Sequence, residues 1–140
     1  MVSALAFLVS VILVGAALMH VYWAFGGKIG GMAAVPETDG RPAFSPSRSG
    51  TLAVAGCLFA AAYVVAVAGQ LLPSPLERWA RVATFALSAI FLARAVGDFR
   101  LVGFFKRVRT SRFARQDTRV YSPLCLGLAL ATGYVAYRDV

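Results

Sequence analysis

Charge is what this sequence has least of. Only 14% of its 140 residues are Asp, Glu, Lys or Arg, against about a quarter in an ordinary soluble domain. Hydrophobic residues make up 59%, and the mean hydropathy is +0.73. A chain so short of charge cannot cover a water-facing surface, which excludes a soluble globular domain. Acidic residues are the scarcest of all, six against 14 Lys and Arg, for a net charge of +8. There is one histidine, His20, and there are two cysteines, Cys57 and Cys125, each inside an apolar run. Two isolated thiols make neither a redox CxxC pair nor a zinc pattern and read as small buried hydrophobes. No second strong ligand stands at useful spacing from His20, so no metal site is expected. The cofactor is left unassigned, since a haem held by one axial histidine has no further support. The short alternating segments of a β-barrel are also missing.

What the chain has in quantity is long apolar runs. A helix needs about 20 mostly apolar residues to cross the hydrocarbon core, and such runs occupy residues 2–25, 51–72, 79–96 and 121–137. The first carries no charge, is too long for a signal-peptide core and has no basic residue before it, so it is expected to stay as a membrane helix. Backbone groups facing lipid must be paired within the segment, which requires helices. The expected fold is all-α, with residues 1–140 forming one polytopic transmembrane domain, a four-helix bundle. Its long loops are 26–50, with six of the 13 glycines and three of the six prolines, and 97–120, basic with embedded Phe99, Phe104, Phe105 and Phe113. Residues 73–78 make a tight turn.

The two long loops share one side and carry ten basic residues, Lys28, Arg41, Arg48, Arg100, Lys106, Arg107, Arg109, Arg112, Arg115 and Arg119. The other side has three, Arg78, Arg81 and Arg138. Positive loops stay cytoplasmic, so both loops are expected inside and both termini outside. The basic segment 106–119 is expected to lie on anionic lipid headgroups. Nucleic acid is not an expected partner, because the membrane is the nearer polyanion. The halves also echo each other, His20-Val-Tyr-Trp-Ala-Phe-Gly-Gly-Lys28 at the end of the first helix matching Arg94-Ala-Val-Gly-Asp-Phe-Arg100 at the end of the third. Phe44-Ser-Pro46 and Tyr121-Ser-Pro123 precede or open the next helices. This suggests two pseudo-repeated hairpins, with His20 and Arg94 facing each other across the bundle.

Ionisable residues inside a span are costly and usually face the bundle interior. Arg94 and Asp98 are four apart and can pair on one helical face. The bland reading is an arginine snorkelling to headgroups. The functional reading is a polar pocket in which Arg94 holds an anionic group. His20 and Trp23 share a helical stripe with Gly27. They read either as an interfacial belt or as a site in which His20 binds a ligand or exchanges protons. Lys28, in a glycine-rich loop without P-loop spacing, is placed at the pocket mouth, and Tyr121 at its rim, with Asp117 pairing to Arg115 or Arg119. Gly56, Ala60, Ala62, Ala66 and Gly69, with Gly127 and Ala131, are small-residue packing surfaces, within the chain or in a homo-oligomer.

Three stretches taken together resemble a group of small, uncharacterised bacterial four-helix integral membrane proteins. They are His20-Val-Tyr-Trp-Ala-Phe-Gly-Gly27, Arg94-Ala-Val-Gly-Asp98 and Phe113-Ala-Arg-Gln-Asp-Thr-Arg-Val-Tyr-Ser-Pro-Leu-Cys125, spanning nearly the whole chain. The resemblance implies four helices in the bacterial cytoplasmic membrane and brings no activity or catalytic residues. Three function classes follow. The leading one is a pocket for a small amphipathic or anionic molecule, lined by His20, Trp23, Lys28, Arg94, Asp98 and Tyr121. The second is an acid–base enzyme (isomerase, cyclase or hydrolase) acting on a lipid-soluble substrate, with His20 and Asp98 as the catalytic pair. The third is an accessory subunit of a larger membrane complex.

Overall fold

The computed structural model describes residues 1–137, without the side chain of Met32; Arg138 lies outside the described residues. Four helices are long and apolar enough to cross a membrane. They are α1 (Val2–Ala24), α3 (Arg48–Ala68), α4 (Glu77–Val96) and a fourth continuous helix over Arg112–Tyr137. The fourth is built from α5 (Arg112–Gln116), a π-helical turn (Asp117–Tyr121) and α6 (Ser122–Tyr137). In the first long loop a short helix α2 (Gly31–Ala34) precedes a two-residue antiparallel hairpin, β1 (Glu37–Thr38) with β2 (Arg41–Pro42). Helix α1 packs mainly on α3 and α4 mainly on α6, while α3–α4 and α1–α6 contacts close the ring. Each hairpin thus has its long loop on the same side. Helices α1 and α4 stand at opposite corners.

Helix ends explain where the boundaries moved. Ser47 caps α3 by accepting from the Gly50 amide at 3.0 Å, so α3 starts before the apolar run does. It stops at Ala68 rather than residue 72, where Gln70 adopts φ 59° and the Leu71 amide turns back to the Ala66 carbonyl at 2.8 Å. Ser111 caps α5 in the same way, accepting from the Ala114 amide. The fourth helix therefore begins at Arg112, inside what hydropathy alone reads as loop. Its charged start is amphipathic: Phe113, Ala114, Asp117 and Ser122 are buried, while Arg112, Arg115 and Arg119 are exposed. Pro123 has no amide for the carbonyl four residues back. The π turn just before it takes up the mismatch, the Ser122 amide bonding to the Asp117 carbonyl.

The interior is lined by small side chains. Ala6, Val9, Leu13 and Ala17 form the buried stripe of α1, meeting Ala61, Ala62, Val65 and Ala68 of α3. Gly69 is required there, since a Cβ would strike the Cβ of Ala6. Large apolar groups such as Phe7, Leu18, Phe85, Ile90 and Leu130 point outward instead. That distribution is expected where the solvent is lipid, because helices then associate through close packing and hydrogen bonds. Hydroxyls cross between helices, among them Ser10 to the Ala62 carbonyl (3.2 Å), Thr84 to Val64 (3.4 Å) and Ser88 to Ala129 (2.7 Å). The proposed small-residue stripe divides, with Ala62, Ala66 and Gly69 facing inward and Gly56, Ala60 and Gly127 outward. The cysteines are not buried as expected: Cys57 is exposed and Cys125 half-buried. An apolar run in a membrane helix faces lipid as readily as protein.

Candidate functional site

The loop-side ends of the two hairpins hold two separate polar clusters. The first lies between the end of α1, the loop over residues 26–47 and the start of α3. It surrounds an open cavity of about 880 Å³, whose lining includes His20, Trp23, Val35, Phe44, Arg48 and Thr51. The His20-x-x-Trp23-x-x-Gly-Gly27 motif builds its wall. His20 Nδ1 lies 2.7 Å from the Ala16 carbonyl oxygen. A carbonyl only accepts, so the proton is assigned to Nδ1. In the neutral ring Nε2 is then a lone-pair acceptor, with no hydrogen-bond partner among the described residues. The Trp23 ring meets the His20 ring edge-on at 5.1 Å, and its indole N–H donates to the Ile29 carbonyl at 2.7 Å. That bond folds the loop back against α1. Gly26 ends the helix at φ 92°, and a Cβ on Gly27 would collide with the Tyr22 ring. Arg48, part of the cavity lining, stacks over Phe25, 4.5 Å from the ring centroid.

The second cluster lies where α4 meets the π turn. Asp117 is fully buried, and four donors converge on its carboxylate. Arg94 Nη2 reaches Oδ1 at 2.9 Å; the Gly103 amide (2.8 Å), Lys106 Nζ (3.0 Å) and the Ser122 hydroxyl (3.2 Å) reach Oδ2. Lys106, only 2% exposed, spends its other two protons on the Gly103 carbonyl (2.9 Å) and Thr118 Oγ1 (2.6 Å). Two cations therefore share one carboxylate, and Arg94 Nη1 is buried with no partner. Tyr121, in the π turn itself, is half-buried and packs on Phe113 with ring centroids 6.1 Å apart.

A turn between these helices supplies Lys106 and Gly103. Asp98 Oδ1 accepts from the amides of Arg100 (2.9 Å), Leu101 (2.8 Å) and Val102 (3.0 Å). Slight desolvation raises the Asp98 pKa, but these amides outweigh it and hold the carboxyl below the ordinary aspartate value. Gly97 and Gly103 both have positive φ and pack backbone to backbone, so that a Cβ on either would strike main-chain atoms of residues 96–103.

The expected site residues are therefore divided. His20 and Trp23 line the cavity. Lys28 is not part of the lining. Arg94 does not pair with Asp98, because α4 ends at Val96 and the positive φ of Gly97 removes the four-residue helical relation. Nor does it face His20; it binds Asp117. Asp98 is committed to the turn, so no His20–Asp98 catalytic pair is assembled. Asp117 pairs with neither Arg115 nor Arg119, and Tyr121 is not part of the cavity lining. Lys106 is withdrawn from the basic face that was to meet headgroups. Sequence reasoning missed Lys106 and Ser122 as Asp117 partners and Arg48 at the cavity. The available signal was Asp117 itself, a carboxylate set among bases beside a span that contains an unneutralised arginine. Among the described residues no three His, Cys, Asp or Glu side chains are grouped to hold a metal ion.

Fold and clusters together define a membrane-spanning four-helix bundle with an open, largely apolar cavity and a closed ion cluster on its loop side. The family model described as "Protein of unknown function (DUF3995)" matches residues 13–132, and the chain belongs to that family. Neither the curated proteins nor the solved structures compared with it include a match.

Proposed function

We propose that this protein binds a small amphipathic anion in the cavity between α1, the 26–47 loop and α3. One observation carries this, a space of about 880 Å³ with a large apolar and aromatic wall and few polar groups. That is the ordinary makeup of a small-molecule site. Trp23, Val35, Phe44 and Val54 offer a surface for a flat or aliphatic body. Arg48 supplies the charge for an anionic end, and His20 Nε2 accepts a hydrogen bond from a hydroxyl or protonated acid. Arg94, the residue first expected to hold the anion, is occupied by Asp117.

Charge supports an orientation as well. Ten basic residues in the two long loops against three on the other side favour a cavity mouth in the cytoplasm of a bacterial cell, with both termini outside. Tags at the termini should react with impermeant reagents in intact cells.

The binding test uses Trp23 as reporter. Trp79, exposed at the start of α4, is replaced in a Trp79→Phe background, leaving Trp23 as the one indole. In nanodiscs, 2-naphthalenesulfonate should change Trp23 emission saturably, and a naphthyl trimethylammonium of similar size should not. Arg48→Gln should weaken the sulfonate about tenfold, the loss of one charged hydrogen bond. Equal, unsaturable responses to both probes would reject the reading.

A further inference from the structure

We infer that the turn over residues 97–105 is a membrane-surface wedge, which seats Phe99 and Phe105 at the headgroup–acyl boundary of an anionic bilayer. This is independent of any ligand in the cavity. Phe99 adopts φ 61°, a region that a bulky residue enters only when its surroundings force it there. The surroundings do so. Asp98 ties down the next three amides through one carboxylate oxygen. Gly97 and Gly103 lock the two ends of the turn together, and the Phe104 amide bonds back to the Ala95 carbonyl at 2.8 Å. Lys106 and the Gly103 amide then fasten the turn to buried Asp117. So much fixation holds two phenyl rings side by side, centroids 6.4 Å apart, at 58% and 62% exposure.

In water such a pair is a liability, and strain that maintains it requires a partner. The position and charge of the turn identify one. The turn directly follows α4, whose exposed Phe85, Ile90 and Leu92 belong to the outward apolar surface. The rings therefore stand exposed at the depth where a span ends, and where aromatic side chains gather. Around them the free charge is of one sign. Arg100, Arg107 and Arg109 flank the rings, while Asp98 and Asp117 are consumed by internal bonds. A polyanionic surface complements that set, each arginine near it contributing about a fivefold gain in affinity. The backbone is held rigid, so insertion orders little that was not already ordered, and the affinity is not spent on loop entropy.

The test places an indole at each ring. Phe99→Trp and Phe105→Trp are made separately and reconstituted in phosphatidylcholine vesicles containing phosphatidylglycerol, with the unsubstituted protein as background. Each new indole should be quenched by lipids brominated high on the acyl chain more than by those brominated near the chain end. Replacing Arg100, Arg107 and Arg109 together by Gln should lower retention of phosphatidylglycerol over phosphatidylcholine in native mass spectrometry by more than tenfold. An indole at both positions that lipid bromines leave unquenched while iodide quenches it puts the turn in water and overturns the inference. Shielding from both quenchers, with disulfide cross-linking between two copies of a Phe105→Cys variant, would mean that the rings meet a second copy, and overturns it equally.

Discussion

At the α1/α3 end of the bundle, a few polar side chains stand in the apolar wall of an open space; at the α4/α6 end they are used up on one another. The two ends are otherwise alike, each a long loop joining antiparallel helices that pack as a hairpin. The difference lies in counter-charge. The first loop crosses on glycines and folds over a cavity, held by neutral bonds such as Trp23 to Ile29. Arg48, which opens α3 at the loop's end, is stacked on an aromatic ring rather than paired. The second loop brings a lysine into the interior to meet a carboxylate that also neutralises Arg94. A buried charge is tolerated only when paired and hydrogen-bonded. The second end must therefore be closed, whereas the first is free to stay open. Stability should thus depend on one end and ligand chemistry on the other.

The largest expected effect comes from breaking the closed end. Asp117→Ala strands Lys106 in the interior, leaves the partly exposed Arg94 unpaired, and should cost about 3–5 kcal/mol, read as lower thermal stability in detergent. Asp117→Leu combined with Lys106→Met and Arg94→Leu should recover most of that loss, because replacing a whole buried ion cluster by apolar groups is often neutral. No recovery would mean that the bonds to Gly103 and Ser122, rather than the charges, secure the turn. Next is Gly97→Ala. It adds a side chain at positive φ directly against main-chain atoms and should destabilise by about 2 kcal/mol or more, with faster exchange of the Phe104 amide.

At the open end, Arg48→Gln should leave thermal stability within about 0.5 kcal/mol while still weakening the anionic probe. A stability loss comparable to that of Asp117→Ala would erase the contrast. A smaller effect is expected from acid. The folded pKa of Asp98 is lowered, so its contribution is complete above the ordinary aspartate range, about 4. It is lost as pH falls through the depressed folded value. Hydrogen exchange in residues 100–102, corrected for intrinsic rate, should rise below about pH 4, and Asp98→Asn should flatten that response. Smallest is Gln70→Gly, which relieves a positive φ after α3 and should stabilise by about 0.5–1 kcal/mol.

The four spans were legible because lipid demands length and apolarity, and both are linear properties of a chain. Boundaries were less so. Hydropathy loses a helix where it becomes amphipathic, as at Arg112–Arg119, although Ser111 was there as a cap. The candidate site was half legible. His20 and Trp23 are neighbours along one helix, and helical spacing alone puts them together. Arg94 and Asp98 were judged by the same spacing, which failed because the helix stops between them. The resemblance motif around these two residues proves to describe a turn and an ion pair.

By itself the sequence determined the solvent of this protein and its number of spans, since a chain 59% hydrophobic and 14% charged has few ways to satisfy its backbone except as helices in lipid. It also determined that the two basic loops share one side of the bundle. Tertiary structure decided which ions meet. Pairing of Arg94 and Lys106 with Asp117 joins residues 23 and 11 positions apart, a relation that no local periodicity encodes. It was fixed by the turn at Gly97 and Gly103 and by the cost of leaving any of the three charges alone.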